Sequence, residues 1–230
     1  MPLGAGDKLA EAVELIRQDA EEQGVEFAMI SINDQMKDEL EAAMPGKLRF
    51  EESRDQADYM YEVEALRELR GKKLHGKRNF VNRFQTSYEG EYEIVTLTAA
   101  HRDEVLAFEE KWMAARDEDE DYRREAVAIR RAFDDFDDLG MTGVALRLQG
   151  EMIAFALGSR INGDTILEDF EKALDIPGAY QMINNAFMKI CGEGYTYVNR
   201  EEDMGIEGLR KAKLSYVPAY LNMRYRVTFA

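Results

Sequence analysis

Residues 164–216 read DTILEDFEKALDIPGAYQMINNAFMKICGEGYTYVNREEDMGIEGLRKAKLSY. The stretch predicts strand, glycine-containing turn, helix, strand, loop and helix in succession. Asp164–Ala173 follows Asn162-Gly163, a type I′ hairpin signal, and reads as a strand. Pro177-Gly178 opens a helix over 178–191 whose apolar stripe is Met182, Ile183, Ala186, Phe187 and Ile190. Tyr195–Asn199 reads as strand and Ile206–Leu214 as helix. Polar residues fall on the last turns of strands and the first turns of helices, where an α/β sheet usually holds a ligand.

Outward from this stretch, Val144, Leu146 and Leu148 alternate with Ala145 and Arg147, and Gln149-Gly150 turns the chain into Glu151–Arg160. Residues 144–173 therefore predict a three-stranded antiparallel meander. Before it come a strand at Tyr92–Leu97 and a helix at Arg102–Ala115 with Val105, Phe108 and Trp112 inward. An acidic loop, Asp117–Asp121, leads to a longer helix carrying Tyr122, Ala126, Ile129, Phe133 and Phe136 and closed by Gly140. Leu221–Phe229 reads as a closing strand. Near the N-terminus the pattern is helix Asp7–Gln23, strand Val25–Ile32, helix Asp34–Met44, then short strands at Lys47–Glu51 and Asp58–Val63. The first four of these repeat the order of the last four elements of the β-α-α-β-β-β-α-β-α-β series that starts at Tyr92. Gly4 and Gly6 precede the first helix as Gly178 precedes its counterpart. The expected fold class is α+β in α/β/α layers. A complete domain at 91–230 follows a basic linker helix at 71–90 and a partial first copy at 1–70. At about 70 residues that copy is short of the ~100–150 typical of a domain, so it either borrows a sheet from the second copy or the chain starts late.

The formal net charge of -16 over 230 residues argues against general nucleic-acid or anionic-membrane binding, since both partners are polyanions. Against that background, RGKKLHGKRNFVNR (70–83) holds Arg70, Lys72, Lys73, Lys77, Arg78 and Arg83 and no acid. A helix over 72–85 would make Lys73 and Lys77, and Arg78 and Asn82, neighbours at i,i+4. The island is either a linker helix paired with flanking carboxylates or a surface for a phosphate-bearing substrate. The single cysteine, Cys191, ends an apolar helix and reads as a buried thiol in a reducing compartment. No run approaches a membrane span and no signal peptide is legible, so a cytoplasmic location is expected. Two histidines, His75 and His101, and no Cys/His cluster argue against a zinc site.

Four segments carry a resemblance: GKKLHGKRNFVNRF (71–84), EKA (171–173), GAYQMIN (178–184) and VNREEDMGIEGLRKAKLSY (198–216). In order and spacing they resemble the phosphatidylglycerol lysyltransferase C-terminal-like family, whose members are tandem GNAT-like proteins. The resemblance implies a GNAT-like fold, and members usually carry the front half of the first domain that is absent here. Relatives in the wider group take an aminoacyl group from aminoacyl-tRNA, so that donor, or another acyl donor, becomes a candidate cofactor. A small-molecule or aminoacyl-tRNA donor is the expected partner.

A GNAT enzyme that uses acetyl-CoA presents Arg/Gln-x-x-Gly-x-Gly/Ala before the helix corresponding to 178–191, and backbone N–H groups there hold the pyrophosphate. Here the place reads Asp175-Ile176-Pro177-Gly178-Ala179-Tyr180. Gly178 fits. Asp175 replaces a cation with an anion, Pro177 has no N–H and Tyr180 is bulky. Acetyl-CoA in its usual pose is therefore not expected. Gly178, Ala179, Gln181 and Asn184 are the residues expected to hold a donor.

On the strand 164–173, strict alternation puts Glu168 with Ile166 and Phe170, and Asp169 and Glu171 on the other face. A carboxylate among apolar neighbours has a raised pKa and suits general acid–base work. The candidate base is Glu171, with Tyr180 or Tyr216 as acid. Lys172 falls opposite Glu171 unless the strand bulges, and the competing reading makes Glu171 and Lys172 partners in structural ion pairs. Candidate substrate-binding residues are Lys73, Lys77, Arg78, Asn82, Lys172, Asn199, Arg200, Arg210 and Lys213. Glu201, Glu202 and Asp203 read as dipole-stabilising acids before a helix. Three functions compete: a GNAT-like transferase of an acyl, above all aminoacyl, group to an amine or hydroxyl; a non-catalytic binding module of the same fold; and an acetyl-CoA-dependent N-acetyltransferase.

Overall fold

The structure is a computed structural model that describes residues 6–117 and 119–230; Gly4 of the N-terminal repeat and Glu118 of the acidic run lie outside the described residues. In chain order the elements are α1 (Leu9–Glu22), β1 (Met29–Ile32), α2 (Asp34–Ala43), β2 (Leu48–Glu52), β3 (Asp58–Glu62), α3 (Val63–Glu68) and α4 (His75–Ser87). Then follow β4 (Tyr92–Thr96), α5 (Arg102–Ala114), α6 (Glu120–Asp134), β5 (Thr142–Leu148), β6 (Glu151–Arg160) and β7 (Thr165–Ala173). The chain ends with α7 (Ala179–Ile190), β8 (Tyr197–Asn199), α8 (Glu207–Leu214), β9 (Tyr220–Asn222) and β10 (Tyr225–Phe229).

The chain divides into two compact units, neither contiguous: residues 1–59, 202–211 and 220–230 form the smaller, and 60–201 with 212–219 the larger. The sequence pattern predicts contiguous segments at 1–70, 71–90 and 91–230. In the smaller unit an antiparallel sheet runs β1-β10-β2. Its core is Leu9, Val13, Met29, Ile32, Leu40, Met44 and Val227. Asn33 caps α2 by accepting from the Met36 N–H at 2.9 Å.

In the larger unit six strands follow the order β4-β5-β6-β7-β8-β3. The expected meander β5-β6-β7 is present and antiparallel. β7 and β8 are parallel, as a helical crossover through α7 requires. Ala145, Phe155 and Leu157 pack against Val105, Phe108 and Trp112 of α5 and Ile129 and Phe133 of α6. On the other face lies α7, buried along Met182, Ile183, Ala186 and Phe187.

Four expectations are corrected. The first strand covers only 29–32. The basic helix starts at His75, because Gly71 (φ 81°) and the turns to Leu74 come first, so Lys73 precedes the helix and is not an i,i+4 partner of Lys77. Val63–Glu68 is helix α3, where the sequence offered only the end of a strand. The closing strand is two strands, and β10 pairs with β1 and β2.

The decisive local feature is a β-bulge in β7. Leu157 pairs with Phe170 but Gly158 with Glu168, so Asp169 is an extra residue. One inserted residue reverses the alternation, and Glu168 and Glu171 come to share a face, with Lys172 on the other. Gly158 is required there: a Cβ would lie 2.3 Å from the Leu167 carbonyl oxygen and 2.5 Å from Cζ of Phe187.

Candidate functional site

β7 and β8 pair only through Thr165–Tyr197, Ile166–Val198 and Leu167–Asn199. Beyond these β7 runs on to Ala173 while β8 ends, and the strands part. Arg200, the first residue after β8, fills the notch. Its Nε donates to Glu168 and its Nη2 to Glu171 Oε2 at 2.8 Å. Asn184 of α7 donates from Nδ2 to the same Glu171 oxygen at 2.8 Å and reaches Glu168 at 3.4 Å. The Arg200 side chain is 10% exposed, Glu168 2% and Glu171 14%. Asn184 Oδ1 is buried without a hydrogen-bond partner. Burial, with Glu171 adding its own charge, raises the Glu168 pKa well above the usual carboxylate range, against the pull of Arg200.

Tyr216 lies between two cations, with Lys77 Nζ 4.0 Å and the Arg200 guanidinium 5.1 Å from its ring centroid. Burial and then Glu171 raise its phenol pKa. Lys77 is half-buried, and burial followed by the Arg200 charge lowers its pKa. Tyr61 of β3 donates to the Lys213 carbonyl at 2.8 Å, and Lys213 Nζ donates to the Arg200 carbonyl. The fold thus brings Lys77, Glu171, Asn184, Arg200, Lys213 and Tyr216 of the sequence-derived candidates into one cluster.

The start of α7 is built against α4. Gly178 has φ 90°, and a Cβ there would lie 2.9 Å from the Phe80 carbonyl oxygen. The Ala179 N–H is engaged by the Ile176 carbonyl at 3.0 Å. Pro177 has no N–H. Asn199 is buried and accepts from the Glu201 N–H at 2.7 Å. Tyr180 stands beside Trp112 with its pKa raised by burial, and Gln181 is half-buried on the next position of α7.

The remaining candidates lie elsewhere. Lys172 is buried on the opposite face of β7 between Glu109 and Glu125, the latter at 2.6 Å, with its ammonium 4.0 Å from the Trp112 ring centroid. Arg78 donates to the Leu69 carbonyl at 2.8 Å, closing the left-handed end of α3. Lys73 and Asn82 are exposed. Arg210 belongs to the smaller unit and holds Asp203, at 2.8 Å, and Asp55, at 2.6 Å. Asp203 also accepts from the Tyr59 hydroxyl at 2.6 Å and the Gly205 N–H at 2.9 Å. Arg210 in the first place holds its carboxyl well below the usual range, so this acid is a structural anchor of its unit. Cys191 is buried, its thiol pushed up to about 11 by burial, as an inert cysteine should be.

Sequence reasoning named Glu168 as a carboxylate in apolar surroundings but did not place it with Glu171, since the bulge has no sequence signature beyond Gly158 on the facing strand. Tyr61 gave no signal at all.

The family described as phosphatidylglycerol lysyltransferase, C-terminal, matches residues 1–228. A conserved protein of unknown function from Bacteroides thetaiotaomicron, solved by crystallography, is 38% identical, with 96% of this chain and 76% of that one covered at a TM-score of 0.88. The C-terminal domain of a putative lysylphosphatidylglycerol synthetase from Agrobacterium fabrum is 17% identical at a TM-score of 0.68, covering 96% of this chain and 73% of that one. L-PGS from Bacillus licheniformis is 16% identical at 0.64, with the same coverage. At that identity the last two show the fold alone, and the fold is α+β and GNAT-like. An uncharacterized protein of Mycoplasmoides gallisepticum is 24% identical over 172 residues, 74% of this chain, which spans 55% of that relative's length. Among the described residues no helix is long and apolar enough to cross a membrane.

Proposed function

The chain belongs to the phosphatidylglycerol lysyltransferase C-terminal family, and from that premise we propose that it is a GNAT-like transferase that moves an acyl group, specifically an aminoacyl group, to an amine or hydroxyl acceptor. The observation that carries this reading is the Arg200–Glu168–Glu171–Asn184 cluster in the notch where β7 and β8 part. Two carboxylates share one guanidinium, and the burial that raises the Glu168 pKa favours one proton held between them near neutrality. Such a pair can take a proton from an attacking amine or hydroxyl at Glu171, the more exposed partner.

In this reading the acceptor attacks the acyl carbonyl, the new C–N or C–O bond forms, and the bond to the donor oxygen breaks. Glu171 takes the acceptor's proton. Tyr216, kept protonated by burial, supplies one to the leaving oxygen in preference to Tyr180, which stands beside Trp112. Lys77 offers positive charge for the oxyanion. Acetyl-CoA is disfavoured because the α7 turn has Asp175, Pro177 and an engaged Ala179 N–H where a diphosphate needs donors.

One observation favours a non-catalytic binding module: Glu171 Oε2 already accepts from both Arg200 and Asn184 at 2.8 Å, so the protein's own donors occupy that oxygen. The two readings part in one experiment, transfer from aminoacyl-tRNA to small amine acceptors by wild type and Glu171→Gln. The transferase reading expects turnover to fall by about 10²–10⁴-fold in the variant, the range for removing a general base, with donor affinity retained. Absence of transfer from every aminoacyl donor, or turnover indifferent to Glu171→Gln, would refute it.

A further inference from the structure

β2 is an edge of the three-stranded sheet in the smaller unit, and among the described residues β10 is its one strand neighbour. The Ser53 N–H donates to the Arg224 carbonyl at 2.8 Å, and the Ala230 N–H to the Lys47 carbonyl at 2.9 Å. Between these bonds the register runs unbroken from Glu52–Tyr225 to Leu48–Phe229. Backbone groups alternate along an antiparallel ladder. Arg49 and Glu51 therefore turn their N–H and C=O groups to β10, and Leu48, Phe50 and Glu52 turn theirs outward. Side chains alternate as well. Leu48 and Phe50 pack against the core of the unit, while Arg49 and Glu51 stand exposed on the other face. Neither Arg49 nor Glu51 makes an ion pair or a side-chain hydrogen bond among the described residues. The stretch is cationic where it begins, at Lys47 and Arg49, and anionic where it ends, at Glu51 and Glu52. Two other edges differ. β1 is broken by Ser31, at φ 57°, and by a register shift, which blunt it for pairing. β4 carries a single charge, Glu93, and Arg147 holds it at 3.0 Å.

We propose that β2 pairs with β2 of a second copy of this chain, antiparallel about a two-fold axis at Phe50. This register sets Phe50 opposite Phe50 and Leu48 opposite Glu52, so every outward N–H and C=O of the strand gains a partner. Arg49 of each copy then faces Glu51 of the other, in the kind of pair that brings side chains closer. Moving the axis by one residue, to Arg49 or to Glu51, sets two arginines or two glutamates directly opposite, which is destabilising. A parallel pairing in register sets like charges together along the whole strand. Charges on an edge strand usually keep other chains away; these admit one partner in one register. The contact is small, so the association is weak.

Sedimentation equilibrium of the intact chain from about 1 to about 500 µM tests this, a range that covers weak association. A monomer–dimer equilibrium is expected. Arg49→Glu and Glu51→Arg should each weaken the dimer by roughly tenfold or more, because each sets like charges opposite at two places. The double variant Arg49→Glu/Glu51→Arg restores opposite charges and should return the dimer to near its wild-type strength. Glu52→Pro removes an outward N–H that β10 does not use and should also dissociate the dimer. Arg49 and Glu51 are exposed, so the charge variants should keep the wild-type melting temperature, and they test the register even if the proline variant fails to fold. A chain monomeric at every concentration would overturn the proposal and leave the edge to a strand of another protein. A dimer indifferent to the single reversals, or a double variant as weak as either single one, would overturn it too.

Discussion

Two buried cations occupy opposite faces of β7, each between two carboxylates, and their surroundings differ. Lys172 meets Glu109 and Glu125 beneath Trp112, in the packed layer between strand and α5; Lys172 is 3% and Glu109 2% exposed. Arg200 meets Glu168 and Glu171 where the sheet has opened. The first cluster packs into the layer beneath Trp112, with Glu125 37% exposed at its edge. The second lies beyond the last residue of β8, where the two strands part. Each keeps one buried oxygen without a partner, Glu109 Oε2 in the first and Asn184 Oδ1 in the second. The first is held within continuous strand and helix packing and keeps the fold in register. The second stands where the sheet opens. The same strand thus carries a structural ion cluster on one face and a candidate chemical one on the other, the second brought together by the bulge at Asp169.

Removing each cation measures the difference. Lys172→Met leaves Glu109 buried beside an apolar stem and should destabilise the chain by about 3–5 kcal/mol, the range for breaking a buried pair from one side, measured by urea unfolding. Arg200→Met should cost less, roughly 2 kcal/mol, because burial pushes the Glu168 pKa up to about 8, so this carboxyl can stay protonated without its guanidinium. Equal losses would remove the distinction between the two faces.

The pH dependence sharpens the same contrast. Glu168 has a raised folded-state pKa, so between its ordinary and its raised value the folded state binds more protons than the unfolded one. Its contribution to stability is complete in acid, declines by about 1.4 kcal/mol per pH unit through that window, and levels above it. Glu168→Gln should flatten this part of the stability curve, followed as melting temperature against pH. An unchanged slope would mean that Arg200 holds Glu168 ionised throughout. The smallest effect belongs to Lys77→Ala, which removes one cation from the Tyr216 ring and should cost about 0.5–1 kcal/mol. A larger loss would make Lys77 part of the core and not of the open cluster.

Most of the larger unit was legible because its signals are local. Alternation and Asn162-Gly163 gave the meander, and the 3.6-residue stripe from Met182 gave α7. What was illegible depends on contacts remote in sequence. The bulge is set by Gly158 facing Phe187 and Leu167 across the sheet, and without it Glu168 and Glu171 read as residues on opposite faces. The end of the chain misled for a similar reason. Residues 221–229 have the composition of one strand, and only pairing with β1 and β2 reveals that β10 is separate. The pairing of Arg210 with Asp203 and Asp55, against that of Lys213 with the Arg200 carbonyl, likewise could not be read from two cations three positions apart on one helix.

We propose that the notch and the glycine turn beside it serve an acyl donor other than coenzyme A. Equilibrium titration of the wild-type chain with acetyl-CoA tests it most directly. The account predicts no saturable binding up to millimolar acetyl-CoA. A micromolar dissociation constant would contradict it, since the α7 turn would then hold a diphosphate despite Asp175, Pro177 and the engaged Ala179 N–H.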